Sequence, residues 1–181
     1  MSSAPESVPI TLETDRLVLR TPVVSDAQAL CDYYVRNDER FARWRESRWQ
    51  HAEDYVRWIA ACAASGHELT FMAFAGGGRE IVAVVTLNGF SREEPPQAML
   101  AYSVDGAHEG RGYASEAVRR VVQYARDERG LKALTAYYDP GNDRSARLLQ
   151  RLGFGVVGQT PVIPGFEKLM RLQIVAALQL A

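Results

Sequence analysis

The stretch of this chain best suited to chemistry is a glycine-rich segment leading into a helix, Glu109-Gly110-Arg111-Gly112-Tyr113-Ala114-Ser115. The start of a helix has unpaired backbone N–H groups and the positive end of a dipole. Gly110 and Gly112 let an anion approach the backbone without a Cβ in its way. The segment predicts a binding site for an anion such as a pyrophosphate, although an ordinary helix start has the same appearance.

Two common nucleotide-binding motifs do not fit this segment. A P-loop requires a second glycine followed by Lys and Ser or Thr, which the chain does not have here. The dinucleotide fingerprint requires a glycine three residues after Gly112, where Ser115 stands. ATP and NAD are therefore disfavoured as ligands.

A second polar cluster, Asn142-Asp143-Arg144-Ser145, opens the last predicted helix, which ends at Gly153. Asn142 is a typical N-cap residue, and Ser145 would then occupy the first turn. Both side chains could also face a ligand without losing that structural role. The residues alone leave both interpretations open.

The elements that must position these segments follow from the hydrophobic pattern. The order is a strand, two helices, three strands, a helix, a strand, a helix and two strands, which predicts an α+β fold around a mixed sheet. The predicted strands are 16–20, 69–75, 81–87, 98–104, 131–138, 154–159 and 166–175. Apolar residues at helical spacing follow the glycine-rich segment, at Ala114, Ala117, Val118, Val121, Val122 and Ala125.

Composition and charge narrow the choice of partners. The 181 residues are 47% hydrophobic and 24% charged, and 21 basic residues balance 22 acidic ones. This balance gives no overall attraction to nucleic acid or to an anionic membrane, so neither is expected as a partner. No apolar run approaches the about 20 residues needed to span a bilayer.

The cysteines and the N-terminal segment bear on location and domain organisation. Cys31 and Cys62 fall within apolar helical patterns, as buried free thiols do, which favours a reducing cytoplasm. Residues 1–9 contain no signal-peptide pattern and are expected to be a disordered terminus before a single domain over residues 10–181. No metal site is predicted, and the protein is expected to be a monomer or a homodimer.

The chain resembles the GNAT acetyltransferases, whose phosphate loop reads Gln/Arg-x-x-Gly-x-Gly/Ala. Glu109, Gly112 and Ala114 occupy these places, with glutamate departing from the usual Gln or Arg. The Asn142-x-x-Ser145 pattern is similar to that of the RimJ/RimL-type subgroup, as are three further segments that extend the resemblance over almost the whole chain. These are Leu148-Leu149-Gln150-Arg151-Leu152-Gly153-Phe154, Leu12–Arg20 and Asp32-Tyr33-Tyr34.

This resemblance implies a mixed, mostly antiparallel central sheet of about seven strands flanked by about four helices. It also implies acetyl-CoA as the ligand, with pantetheine in a gap beside the strand that ends at Val104, pairing with backbone groups of Ser103 and Val104. Asn142 and Ser145 would face the pantetheine and thioester end. The implied pyrophosphate contacts are Glu109, Gly110, Arg111, Gly112, Tyr113, Ala114 and Ser115.

Acetyl transfer to an amine requires a free amine, a donor to the carbonyl oxygen and a proton for the departing thiolate. We expect a backbone N–H near Val104 to polarise the carbonyl and Ser145 to supply the proton, with Asn142 beside it. A base is harder to find, because many relatives place a glutamate in the strand where this chain reads Ala98–Tyr102. Glu93 and Glu94, in the loop before that strand, are the candidate bases, and Glu94 is preferred.

The acceptor site is expected near the connection between the first two helices, with Trp44 and Glu93 as acceptor contacts. Freeing a lysine, with a pKa of about 10.4, costs about 3 kcal/mol more at neutral pH than freeing an α-amine, with a pKa of about 8. A protein N-terminal α-amine is therefore the preferred acceptor. A small polyamine-like acceptor and a noncatalytic acyl-CoA-binding module remain as alternatives.

Overall fold

One mixed sheet of eight strands organises the chain, in the spatial order β1-β2-β3-β4-β5-β6-β8-β7. The computed structural model describes residues 8–42, 49–91, 93–161 and 172–180. The strands are β1 Thr11–Glu13, β2 Leu17–Arg20, β3 Glu68–Ala75, β4 Ile81–Ser91, β5 Gln97–Val104, β6 Ala133–Tyr138, β7 Gly155–Thr160 and β8 Gln173–Gln179. The α-helices are α1 Ala27–Arg36, α2 Asp38–Phe41, α3 Ala52–Ser65, α4 Tyr113–Asp127 and α5 Asp143–Arg151.

Every pair of neighbouring strands is antiparallel except β5 and β6. Antiparallel neighbours can be joined by short turns, and the run Gly76-Gly77-Gly78 joins β3 to β4. Parallel neighbours need a long crossover, which α4 supplies between β5 and β6. The predicted α+β class and mostly antiparallel sheet are confirmed.

Helices cover the two faces of the sheet with two separate apolar clusters. On one face, α4 and α5 pack through residues such as Val121 and Leu149 against β-strand side chains that include Val85. On the other face, α1 and α3 pack through Tyr33 and Tyr55 against a second set. The two faces of β5 therefore meet different surroundings, because successive side chains of a strand point to opposite sides.

Some predicted boundaries change. The strand β1, three residues long, was not predicted because so short a segment shows no clear alternation. The last strand continues to Gln179, so its predicted end at residue 175 is wrong. Pairing with β6, which lasts to Ala133 opposite Gln179, decides where it ends. The start of that predicted range, up to residue 171, lies outside the described residues.

Asp26 occupies the N-cap position of α1. Asp26 makes no side-chain cap to this helix. Its carboxylate instead accepts hydrogen bonds from Arg20 at 2.6 and 2.7 Å and from the Val23 N–H at 2.8 Å. Burial opposes the charge on Asp26, but these bonds outweigh it and hold its pKa below the usual value.

Candidate active site

A gap opens where the parallel pair β5 and β6 stops pairing. The ladder runs from Gln97 opposite Ala133 to Leu100 opposite Ala136. Beyond this point β5 continues to Val104 still paired with β4, while β6 pairs only with β8. The expected separation of the two strands is confirmed, and backbone groups on the β6 side of residues 101–104 are left for another partner.

The glycine-rich segment lies directly after this free half of β5 and ends at the first turn of α4. Gly112 is the N-cap of α4 with a φ of 81°, a left-handed conformation that favours glycine, and it supplies no side-chain cap. The first-turn N–H groups of α4 have no carbonyl within the helix to bind. The loop therefore has the open amides that an anionic ligand requires.

Long-range contacts hold this loop in place. The guanidinium of Arg16 donates to the carbonyl of Arg111 at 3.0 Å and to the carboxylate of Glu116 at 2.7 Å. Thr14 donates to the same carboxylate at 2.6 Å. A Cβ added at Gly112 would lie 3.3 Å from the Arg16 guanidinium, so Gly112 also permits this close packing.

The carboxylate of Glu109, predicted to contact the ligand, lies between two guanidinium groups. Arg40 from α2 binds one carboxylate oxygen and Arg144 from α5 binds the other. Arg40 also donates to the Val104 carbonyl. The two arginines more than compensate the negative charge of Glu109, so the glutamate that departs from the resembled pattern does not make this part of the loop anionic.

Ser145 lies at the gap, held between its own helix and β5. Its N–H donates to the Asn142 side-chain oxygen at 3.1 Å, so Asn142 is the N-cap of α5. Its hydroxyl lies 2.6 Å from the hydroxyl of Tyr102. Burial, only partly opposed by this bond, raises the pKa of Tyr102 to about 12, so the phenol keeps its proton at neutral pH.

Tyr102 was not among the predicted site residues. Strand alternation alone places it on the same face of β5 as Leu100, but nothing in the sequence relates it to Ser145, 43 residues away. Ser103 points to the opposite face, where its hydroxyl lies 2.9 Å from the hydroxyl of Tyr33. Burial raises the pKa of Tyr33 above its usual value.

A buried carboxylate fixes the end of the free half of β5, and the sequence analysis did not identify it. Asp105 accepts hydrogen bonds from Arg36 at 2.6 Å, from the Asn37 amide at 2.9 Å and from the Ala107 N–H at 2.9 Å. Burial opposes its ionisation, but these bonds and the charge of Arg36 outweigh that cost and lower its pKa. The end of β5 is thus attached to α1 instead of β6.

Not every predicted site residue lies near this gap. Glu93 and Glu94 are exposed and precede β5, whereas the gap lies at the other end of that strand. The eight-residue β5 spans about 23 Å from its first to its last Cα at a rise of about 3.3 Å per residue. Trp44 lies outside the described residues.

The described residues form neither a metal site nor a membrane-spanning helix. In the described ranges, no group of three or more His, Cys, Asp or Glu side chains is arranged to hold a metal ion. None of the helices described is both long and apolar enough to cross a bilayer. The candidate site consists of the glycine-rich loop, the gap between β5 and β6, and the hydroxyl pair of Tyr102 and Ser145.

Comparison with known proteins agrees with this geometry. The family described as acetyltransferase (GNAT) domain matches residues 16–155. The chain is 30% identical over 151 residues to the ribosomal protein uS5-alanine N-acetyltransferase of Escherichia coli strain K12, covering 80% of this chain and 78% of that protein. The family match includes the glycine-rich loop and the strands β5 and β6 beside it.

Solved structures share the fold at lower identity. The ribosomal-protein-S5-alanine acetyltransferase of Vibrio fischeri has a TM-score of 0.84 and 20% identity, covering 94% of this chain and 97% of that one. RimJ of Mycobacterium smegmatis, in complex with CoA-disulfide, has a TM-score of 0.81 and 18% identity, covering 94% of this chain and 86% of that one.

Proposed function

This chain belongs to the GNAT acetyltransferase family, and we propose that it transfers the acetyl group of acetyl-CoA to the N-terminal α-amine of a protein. It is an N-acetyltransferase, and acetyl-CoA is its acyl donor. The observation that carries the proposal is the gap after Leu100, which joins the open amides of the glycine-rich loop to the hydroxyl pair of Tyr102 and Ser145.

The loop supplies the donor-binding end of this site. The N–H groups from Gly110 to Ser115 bind the diphosphate, because they have no helical acceptor and lie at the positive end of α4. Arg144, whose side chain is 75% exposed, lies beside them on Glu109 and adds a positive charge. The Val104 N–H points away from β4 into the gap and holds the pantetheine arm there. The Val104 carbonyl accepts a hydrogen bond from Arg40, and the backbone groups of Ser103 pair with β4.

Ser145 provides the proton for the leaving group. Acetyl-CoA supplies an activated thioester, and its departing sulfur needs a proton donor within hydrogen-bond reach. The Ser145 hydroxyl lies at the gap and can be resupplied by the Tyr102 hydroxyl at 2.6 Å. Because the pKa of Tyr102 is about 12, that hydroxyl carries a proton throughout the physiological range. Asn142 holds the first turn that presents Ser145.

The acceptor class follows from the chemistry of amines and from the relatives. An α-amine has a pKa of about 8, so a useful fraction is already unprotonated at neutral pH, whereas a lysine with a pKa of about 10.4 is almost fully charged. The E. coli relative is named for acetylation of the alanine of ribosomal protein uS5. Both considerations favour a protein N-terminus over a lysine side chain.

The test is release of free thiol from acetyl-CoA in the presence of matched acceptors. Three peptides would share one sequence with a single lysine: one with a free α-amine and a blocked lysine, one with a blocked N-terminus and a free lysine, and one with both amines blocked. A set of small polyamines would be measured beside them. We expect turnover with the free α-amine peptide and at least about tenfold less with the lysine peptide.

Other results would assign a different role. Preference for the lysine peptide or for a polyamine would overturn the proposed acceptor and leave the acetyltransferase activity in place. Binding of acetyl-CoA in calorimetry without turnover on any acceptor would instead indicate an acyl-CoA-binding module. The cytoplasmic location expected from Cys31 and Cys62, both free thiols here, stays a prediction.

A further inference from the structure

Glu68 is the single carboxylate on the six strands from β3 to β8, all of which are described. It begins β3 and is half-buried. Glu68, Thr70 and Met72 alternate along β3 and therefore share one face of the sheet. Met72 belongs to the apolar cluster of α1 and α3. Glu68 and Thr70 thus lie on the face opposite to α4, α5 and Ser145.

A chain of hydrogen bonds leads from this carboxylate across the sheet. The Thr70 hydroxyl donates to Glu68 Oε1 at 3.0 Å. The Thr70 and Thr86 hydroxyl oxygens lie 2.9 Å apart, and these two residues pair across β3 and β4. Both threonines are buried, with 5% and 7% of their surface exposed. The next cross-strand pair on this face, Met72 and Val84, is apolar, so the hydrogen-bonded threonines are a local exception to the apolar core pattern.

The carboxylate of Glu68 determines which threonine hydroxyl donates and which accepts in this series of hydrogen bonds. An ionised carboxylate can only accept hydrogen bonds, so Thr70 must donate its single hydroxyl hydrogen to Glu68. The bond between the two threonines then requires Thr86 to be the donor. Because the Thr86 hydroxyl hydrogen is already donated to Thr70, the Thr86 oxygen can only accept a further hydrogen bond. In the described part of the chain, no hydrogen bond to that remaining acceptor position is found.

The open end of this series of hydrogen bonds, at Thr86, lies beside the gap between β5 and β6. Thr86 pairs with Ala101, the first residue of β5 beyond its last pair with β6. Ala101 is exposed, so the solvent-accessible surface begins one cross-strand neighbour away from the buried Thr86. Two residues along β4, Asn88 Oδ1 is buried and has no hydrogen-bond partner among the described residues. Asn88 lies opposite Glu68 and beside the paired half of β5, so of these two oxygens the one of Thr86 is nearer the gap.

We propose that Thr86 Oγ1 accepts a hydrogen bond from the acceptor amine and that the proton lost by that amine passes through Thr70 to Glu68. The inference rests on the proposed acetyl transfer and supplies its missing base. As the nitrogen bonds to the acetyl carbon and the carbon–sulfur bond breaks, Thr86 takes the proton from nitrogen and passes its own to Thr70. Thr70 passes its proton to the Glu68 carboxylate, and the sulfur takes a proton from Ser145. After product release, Glu68 loses its proton to water and the Ser145–Tyr102 pair regains one from water, which restores the starting state.

The described surroundings leave Glu68 as the terminal proton acceptor. Strand β4 contains no ionisable residue, and the last turn of α3 contributes only the thiol of Cys62. The one charged residue of β2, Arg20, is paired with Asp26. On α1, Arg36 is paired with Asp105, and Asp32 is exposed and accepts a hydrogen bond from Gln28. His67 is the neighbour in sequence and is exposed.

Glu68→Gln is the first test, because glutamine can still accept the hydrogen bond from Thr70 but cannot take up a proton. With the best acceptor peptide, we expect kcat at pH 7 to fall about 100-fold while the Kd for acetyl-CoA, measured by calorimetry, stays unchanged. Hydroxide can replace the missing base as pH rises, so the deficit should shrink to under about tenfold at pH 9. A purely structural role of Glu68 would give a deficit that does not change with pH.

A pair of substitutions at Thr86 tests the contact with the amine. Thr86→Val keeps the shape and removes the oxygen, and we expect kcat/KM for the peptide to fall about 30-fold with acetyl-CoA binding intact. Thr86→Ser keeps the oxygen and should retain activity within about threefold of the wild type. Thr11→Val, at an exposed position of β1, is the control and should match the wild type. Circular dichroism and thermal melting would verify that each variant folds.

The outcomes separate this inference from the function on which it rests. Absence of turnover by the wild-type protein on every acceptor would overturn the proposed function itself. An active wild type with an active Glu68→Gln variant of unchanged pH profile would overturn only the proton path. Equal losses in Thr86→Val and Thr86→Ser would also contradict it, since the hydroxyl would then not be what matters.

Discussion

Strand β5 is paired with β4 along most of its length but with β6 only as far as Leu100. In the paired half, side chains such as Ala98 and Leu100 are buried in the core and make no polar contact. In the free half, Tyr102 reaches Ser145 on one face and Ser103 reaches Tyr33 on the other. Losing one strand partner thus exposes backbone groups and brings hydroxyl groups together, which is what a binding site requires.

The largest effect is expected from Ser145→Ala, which removes the proposed proton donor of the free half. We expect kcat to fall about 100-fold, with the Kd for acetyl-CoA changing less than about threefold, because the loop amides remain. Thiol release and calorimetry measure the two quantities. An unchanged kcat would remove Ser145 from the mechanism.

Asp105→Asn tests the attachment that replaces β6 at the end of the free half. We expect the free energy of unfolding to fall by about 2 kcal/mol at pH 7, since buried hydrogen bonds to a charged group are lost. The folded-state pKa of Asp105 is lowered, so its stabilisation is present above its unfolded pKa of about 3.9 and is lost as pH falls through the folded value. Urea unfolding of the two proteins should therefore converge in strong acid; a difference that persists there would contradict the assignment.

Tyr102→Phe removes the hydroxyl that resupplies Ser145 and should lower kcat about tenfold with little change in the KM for acetyl-CoA. The double variant with Ser145→Ala should be no slower than Ser145→Ala alone, because the two hydroxyls act as one unit. Additive losses would mean that Tyr102 acts by a separate route.

The smallest effect is expected at the paired end. Glu94→Gln should change kcat less than about twofold, because Glu94 is exposed and precedes the half of β5 that is paired on both sides. Kinetics with the same peptide measure this. A drop comparable to that of Ser145→Ala would restore Glu94 as the base and would break the distinction between the two halves.

Local patterns were sufficient for much of the fold. The spacing of Val118 and Val121 predicts α4, and Gly66 ends α3 in the left-handed conformation that glycine commonly adopts after a helix. The capping of α5 by Asn142 was among the interpretations that the sequence left open, and the structure contains that hydrogen bond. Each of these features depends on residues within one or two helical turns, so the sequence reports them directly.

The sequence by itself determined the family and the glycine-rich loop, because both are encoded in consecutive residues. Only the tertiary structure decided which side chains meet at the gap: Ser145 with Tyr102, 43 residues apart, and Arg36 with Asp105, 69 residues apart. The link from Glu68 to Thr86 likewise depends on the register between two strands. A hydrogen bond is set by where the packed core places two side chains, and residue spacing carries no record of that placement.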